Sequence, residues 1–291
     1  MTIAPGFRAA AAASLFLLVA CAQDGGDSTL PGDAPAPRDA SAIALRIDST
    51  GGFTTPGDNV ARLPIVTVYG DGRAIVQGPQ PAIYPGPALP NLQVIKLSSA
   101  DVDKLVERAT GAGVGTAKDL GQPPVADATS TRFTVDTAGG PATTEVYALH
   151  ETADTATGLT ADQVAARTKL RDLLNAVSDL HGTLGISPGS DQPYQPATLA
   201  AIASPYVAPE PAMPGQQPEV VWPGPALPGT PVGKGLETGC VTVTGAGTAT
   251  ALAAAGKANA ATPWTSEGRK WTVILRPLLP DETGCADLLD T

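Results

Sequence analysis

The chain has 291 residues with 18 Lys and Arg against 28 Asp and Glu, a net charge of −10, and 32 Gly with 29 Pro make up about a fifth of it. So much Gly and Pro beside only 16% charged residues excludes a sustained coiled coil. The negative balance argues against a nucleic-acid partner, because there is no positive surplus to displace counterions from phosphates.

Residues 1–20 read as an export signal, with Arg8 as the basic start and Ala9–Ala20 as a run of small and apolar residues. Twelve residues at helical rise reach only about 18 Å, too short for a hydrocarbon core of ~30 Å. The run ends Leu18-Val19-Ala20-Cys21, which resembles the lipobox of bacterial lipoproteins. The resemblance implies that Cys21 receives a diacylglycerol group and becomes the acylated first residue, with membrane lipid as its partner. Acyl chains at ~0.8 kcal/mol per buried methylene would then hold the protein stably. Residues 21–41, rich in Gly, Asp, Pro and Ser, read as a flexible stalk.

In residues 42–184 the alternation of Ile43, Leu45 and Ile47 with Ala44, Arg46 and Asp48 predicts a half-buried strand. Gly70-Asp71-Gly72 predicts a hairpin between Ile65–Tyr69 and Arg73–Val76, and a further strand is expected at Leu92–Leu97. Ser98 is placed to cap a helix whose stripe is Val102, Leu105, Val106 and Ala109, with Gly111 and Gly113 stopping it. A second hairpin is expected from Arg132–Thr137 and Thr143–Leu149. Thr160 and Gln163 form a capping box for a helix running through Leu170, Leu173, Leu174 and Val177 to Gly182.

Residues 185–215 read as a Pro/Gly-rich linker, and 216–291 as a smaller second domain. Tyr84-Pro85-Gly86-Pro87-Ala88-Leu89-Pro90 is echoed by Trp222-Pro223-Gly224-Pro225-Ala226-Leu227-Pro228. A strand and a helix are expected after each copy, the second pair at Cys240–Thr244 and Thr248–Ala260, with a last strand at Lys270–Leu275. The fold expectation is α+β: two small domains sharing a strand-helix-strand unit, with an antiparallel sheet carrying helices on one face.

Cys240 and Cys285 are the cysteines left after Cys21, and export would oxidise them to a disulfide. A metal site built on the two thiols is the rival reading, but no His follows Gly182 to complete it. Gly185-Ile186-Ser187-Pro188-Gly189 matches a nucleophile elbow, yet a helix precedes it and both histidines, His150 and His181, come earlier. Gly245-Ala246-Gly247 lacks the third glycine of a dinucleotide turn, where Thr250 stands. No catalytic set, metal site or cofactor is expected. Tyr84, Trp222, Trp264 and Trp271 are the candidate partner surface, although for Trp264 and Trp271 core packing against a small sheet is the favoured reading.

With its lipobox, its Tyr69-Gly70-Asp71-Gly72-Arg73 segment, its repeated Pro-Gly-Pro-Ala-Leu-Pro loop and its cysteine pair, the chain resembles uncharacterised secreted lipoproteins of actinobacterial type. Over residues 43–180, the Gly51-Gly52-Phe53 turn and the element order are similar to the emfourin-type inhibitors of secreted metalloproteases, from which the long insert 54–91 departs. The expectation is a lipid-anchored, non-enzymatic protein on the outer face of the cell membrane that binds an extracytoplasmic protein or envelope component. Inhibition of secreted metalloproteases through residues 42–184 is the first alternative. An enzyme acting on cell-wall polymer through unlocated carboxylates is the second.

Overall fold

A computed structural model describes residues 39–151, 158–208 and 218–289. The segments expected to be an export signal and most of a stalk, with Cys21, lie outside the described residues. The architecture is α+β, built on two sheets within one compact unit.

The first sheet is antiparallel. It takes β1 (Ile43–Gly51), β2 (Val66–Tyr69), β3 (Arg73–Gln77), β4 (Leu92–Lys96), β5 (Thr129–Thr137), β6 (Gly140–Tyr147) and the short β7 (Gln192–Pro193), in the order β6-β5-β1-β2-β3-β4-β7. A short helix, α1 (Pro56–Ala61), connects β1 to β2. The β2–β3 hairpin turns at Gly72, whose φ is +82°, and a Cβ there would strike the Leu97 carbonyl; only glycine fits. Helix α2 (Ser99–Ala112) starts where expected, with the Ser98 hydroxyl accepting from the Asp101 backbone N–H, and it ends at Gly113 with φ +100°. Helix α3 (Ala161–Ser178) has the complete Thr160/Gln163 capping box. It stops earlier than predicted, because Asp179 breaks it and caps a separate short helix, α4 (Leu180–Leu184), which ends at Gly185.

Both long helices lie on one face of this sheet. Val102, Leu105 and Ala109 of α2, and Leu170, Leu173, Leu174 and Val177 of α3, pack on Leu45, Ile47, Val66, Val68, Phe133 and Val135. The alternation of β1 therefore sends Arg46 and Asp48 to the opposite face.

The second sheet is mixed. Its strands are β8 (Thr198–Pro205), β9 (Val220–Val221), β10 (Thr230–Pro231), β11 (Gly239–Thr244), β12 (Trp264–Ser266) and β13 (Arg269–Pro277), in the order β10-β11-β8-β13-β12-β9. β12 and β9 run parallel and the other pairs are antiparallel. The stretch 185–215 is thus not only a linker: β8 lies inside it, between β11 and β13. Leu199, Ala201 and Ala203 of β8 face a core under α5 (Ala246–Ala255), while Ala200 and Ile202 face a second core with α6 (Cys285–Leu289).

The strand-helix-strand order recurs as β4–α2–β5 and β11–α5–β12. The two proline loops that precede these units differ in shape and surroundings. The cis bond is Tyr84–Pro85 in the first loop and Leu227–Pro228 in the second. Both loops end on the same core: Ala88 and Leu89 from the first, and Trp222 and Leu227 from the second, pack in the cluster beneath α5.

Candidate functional site

The predicted partner surface divides. Tyr84 is 83% exposed, with Ile83 beside it at 63%, but Trp222, Trp264 and Trp271 are buried at 5%, 1% and 1% exposure. The three tryptophans are core residues: this removes Trp222 from the candidate surface and bears out core packing for Trp264 and Trp271. Trp222 and Trp264 stack edge to face at 5.6 Å, and the Trp222 indole N–H donates to the Pro225 carbonyl at 2.7 Å. The guanidinium of Arg269 lies 4.6 Å from the Trp271 ring centre. Bulky aromatics were needed here because α5 is almost all Ala, Gly and Thr and cannot fill the space above the sheet.

Cys240 and Cys285 are joined as a disulfide. It ties β11 to α6, and the Cys285 N–H also donates to the Thr242 hydroxyl at 3.0 Å. Among the described residues no three His, Cys, Asp or Glu side chains cluster as a metal site. His181 meets Asp191 at 2.9 Å beyond the sheet edge, whereas His150 is exposed after β6. Ser187 sits between α4 and β7, where its carbonyl accepts from Ser190. Gly51 and Gly52 have φ of +63° and +82°, and Phe53 after them is 91% exposed.

Sequence reasoning did not single out the charged cavity between the sheets, of about 250 Å³. Its floor is the helix-free face of the first sheet, with Arg46 and Asp48 from β1 and Arg132 and Thr134 from β5. Its roof is α1 with the following Arg62 and Leu63, and its far wall is Arg276 of β13 with Glu282 and Leu288. Four guanidiniums and two carboxylates therefore converge in a protein of net charge −10.

Most of these charges are tied to one another. Arg276 makes a bidentate pair with Glu282 at 2.6 and 2.8 Å, with side chains 4% and 9% exposed, and its Nε donates to the Arg62 carbonyl. Glu282 also accepts the Leu279 N–H at 2.7 Å. Arg46 reaches Asp281 at 2.7 Å and Thr67 at 3.0 Å, and the Tyr69 hydroxyl donates to the same carboxylate oxygen of Asp281. Burial would raise the Asp281 carboxyl, but the hydrogen bond and charge of Arg46, with the Tyr69 hydroxyl, outweigh it and hold it below its ordinary value. Burial and the Asp281 carboxylate push the Tyr69 phenol far up, so it stays a donor. Residues 46 and 69 belong to the first sheet and 281 to the segment after the second, so this triad fastens one sheet to the other. The individual residues were visible in the sequence, but their meeting across a separation of 235 positions was not.

Compared with protein-family models, with curated proteins and with solved structures, the chain matches none.

Proposed function

We propose that this chain is a lipid-anchored binding protein of the bacterial cell envelope, tethered through acylated Cys21 on the outer face of the membrane, that holds its ligand in the inter-sheet cavity. The anchor is supported by Leu18-Val19-Ala20-Cys21 and by an oxidised Cys240–Cys285 pair, which suits an exported chain. The observation that carries binding over turnover is the chemistry of the cavity lining. Guanidiniums stay protonated at physiological pH and transfer no proton; of the four lining the cavity, three are held by protein acceptors, and Arg132 keeps its Nη groups to attract and orient a ligand. The cell-wall enzyme reading requires two facing carboxylates; here Glu282 is bound to Arg276, leaving Asp48 alone. Metalloprotease inhibition draws on a different feature, the Phe53 side chain presented on two left-handed glycines.

The test is made in the producing cells. Radiolabelled palmitate is expected in the wild-type protein and absent from Cys21→Ala, and crosslinking with the anchored protein as bait is expected to capture envelope components. Label persisting in Cys21→Ala removes the anchor.

A further inference from the structure

The cavity charges can be sorted by what they already hold. Arg46 is taken by Asp281, Tyr69 and Thr67, and Arg276 by Glu282. Arg62 donates to the Ser49 and Gly51 carbonyls at 3.1 and 3.0 Å. Two groups remain. Asp48 makes no hydrogen bond and no ion pair among the described residues, although it lines the cavity. Arg132 has one contact, from Nε to Glu145 at 3.4 Å, which leaves its two Nη groups without a protein acceptor.

These two face each other across β1 and β5, in direct register. Directly opposed residues hold their Cβ atoms about 5 Å apart, so both side chains can reach the two ends of one small zwitterion. Burial raises the Asp48 carboxyl above its ordinary value despite the opposing pull of Arg46 and Arg132. Its charge thus carries a desolvation cost that an incoming cation would offset. The remaining lining includes Val60, Leu63 and Leu288, an apolar wall within reach. At about 250 Å³ the space is below the roughly 300–1,000 Å³ of sites for drug-sized ligands, and suits a small metabolite. The Arg132 side chain is 33% exposed, so the cavity communicates with solvent on that side.

We propose that the cavity binds a free α-amino acid with a branched apolar side chain, its carboxylate on the Arg132 Nη groups, its ammonium on Asp48, and its side chain against Val60, Leu63 and Leu288. This deepens the reading of the cavity as a binding site and rests on it. The chemistry is complementary at both ends, since a planar guanidinium takes a carboxylate through two parallel hydrogen bonds and a carboxylate accepts from an ammonium.

The experiment is titration calorimetry on the purified full-length protein with leucine, 4-methylpentanoate and isopentylamine, so that each analogue lacks one charged group. Leucine is expected to bind, and each analogue to bind at least tenfold more weakly. Asp48→Asn and Arg132→Gln should each weaken leucine at least tenfold. Asp48→Asn should keep or raise the thermal midpoint, since it removes a charge that burial disfavours, and that separates lost binding from lost folding. Absence of any leucine signal in calorimetry and thermal shift overturns the proposal. So does 4-methylpentanoate binding as tightly as leucine, which would mean an anion site served by Arg132 alone. Either result leaves palmitate labelling and crosslinked partners untouched, so anchoring and partner capture are judged separately.

Discussion

At the scale of single residues, the charged groups on the helix-free face of the first sheet pull stability in opposite directions with pH. Asp281 has its carboxyl lowered in the folded state, so its pairing with Arg46 and Tyr69 contributes stability above the unfolded carboxylate value, lost as pH falls through the folded value. Asp48 is raised, so it opposes folding as pH rises through the unfolded value and relents in acid. Asp281→Asn should lower unfolding free energy at pH 7 by about 1–3 kcal/mol, the scale of a hydrogen bond to a charged group with side chains only 15% and 21% exposed. Urea titrations at stepped pH check this: the gap between wild type and variant should close below about pH 4. A gap constant from pH 7 to pH 3 would mean that the carboxylate charge is not what Arg46 holds. Nothing in the sequence around Asp281 marks this role, because Pro280-Asp281-Glu282 reads as an ordinary acidic turn until the fold brings β1 beside it.

At the scale of elements, legibility follows the strength of the local code. Helix α3 was readable from its cap, because Thr160 and Gln163 satisfy orphan backbone groups through contacts that are all local. β1 was readable because its second face is polar, carrying Arg46 and Asp48 into the cavity, and α2 because one of its faces is wet; either contrast imprints a period on the sequence. β8 was not, because both of its faces are dry and no period survives; Leu199-Ala200-Ala201-Ile202-Ala203 between prolines looks like a linker. α1 and α6 are too short for a stripe, and their positions are set by the cores they cover. Ile202→Ala separates the two descriptions of 185–215. Ile202 is 2% exposed in the core with Cys240, Leu278 and Leu288, so truncation should cost about 2–5 kcal/mol in urea unfolding. In a linker the cost would stay below about 0.5 kcal/mol.

At the scale of the whole molecule, residues 277–289 act as the clasp between the sheets. Leu279 packs with Tyr69, Ile75 and Leu92 of the first sheet, while Leu278 and Leu288 pack with Ala200 and Ile202 of the second. The Tyr194 hydroxyl donates to the Leu278 carbonyl at 2.7 Å, and burial pushes that phenol up to about 12, so it remains a donor over the physiological range. Asp281 and Glu282 supply the charged fastenings, and the Cys240–Cys285 bond anchors the end of the clasp to β11. The bond spans 45 positions, which on the chain-entropy model stabilises by roughly 4 kcal/mol. The Cys240→Ser, Cys285→Ser double variant should therefore lose about 2–5 kcal/mol in urea unfolding. The loss should also be uneven. Amides of residues 278–289 should exchange hydrogen faster well before those of β1, β2 and β5, because the helix-covered core of the first sheet does not include the clasp. Since Glu282 and Leu288 line the cavity, the same variant should bind leucine more weakly even where the first sheet stays protected. Uniform acceleration of exchange across both sheets would instead mean that the sheets unfold as one unit and that the clasp has no independent opening.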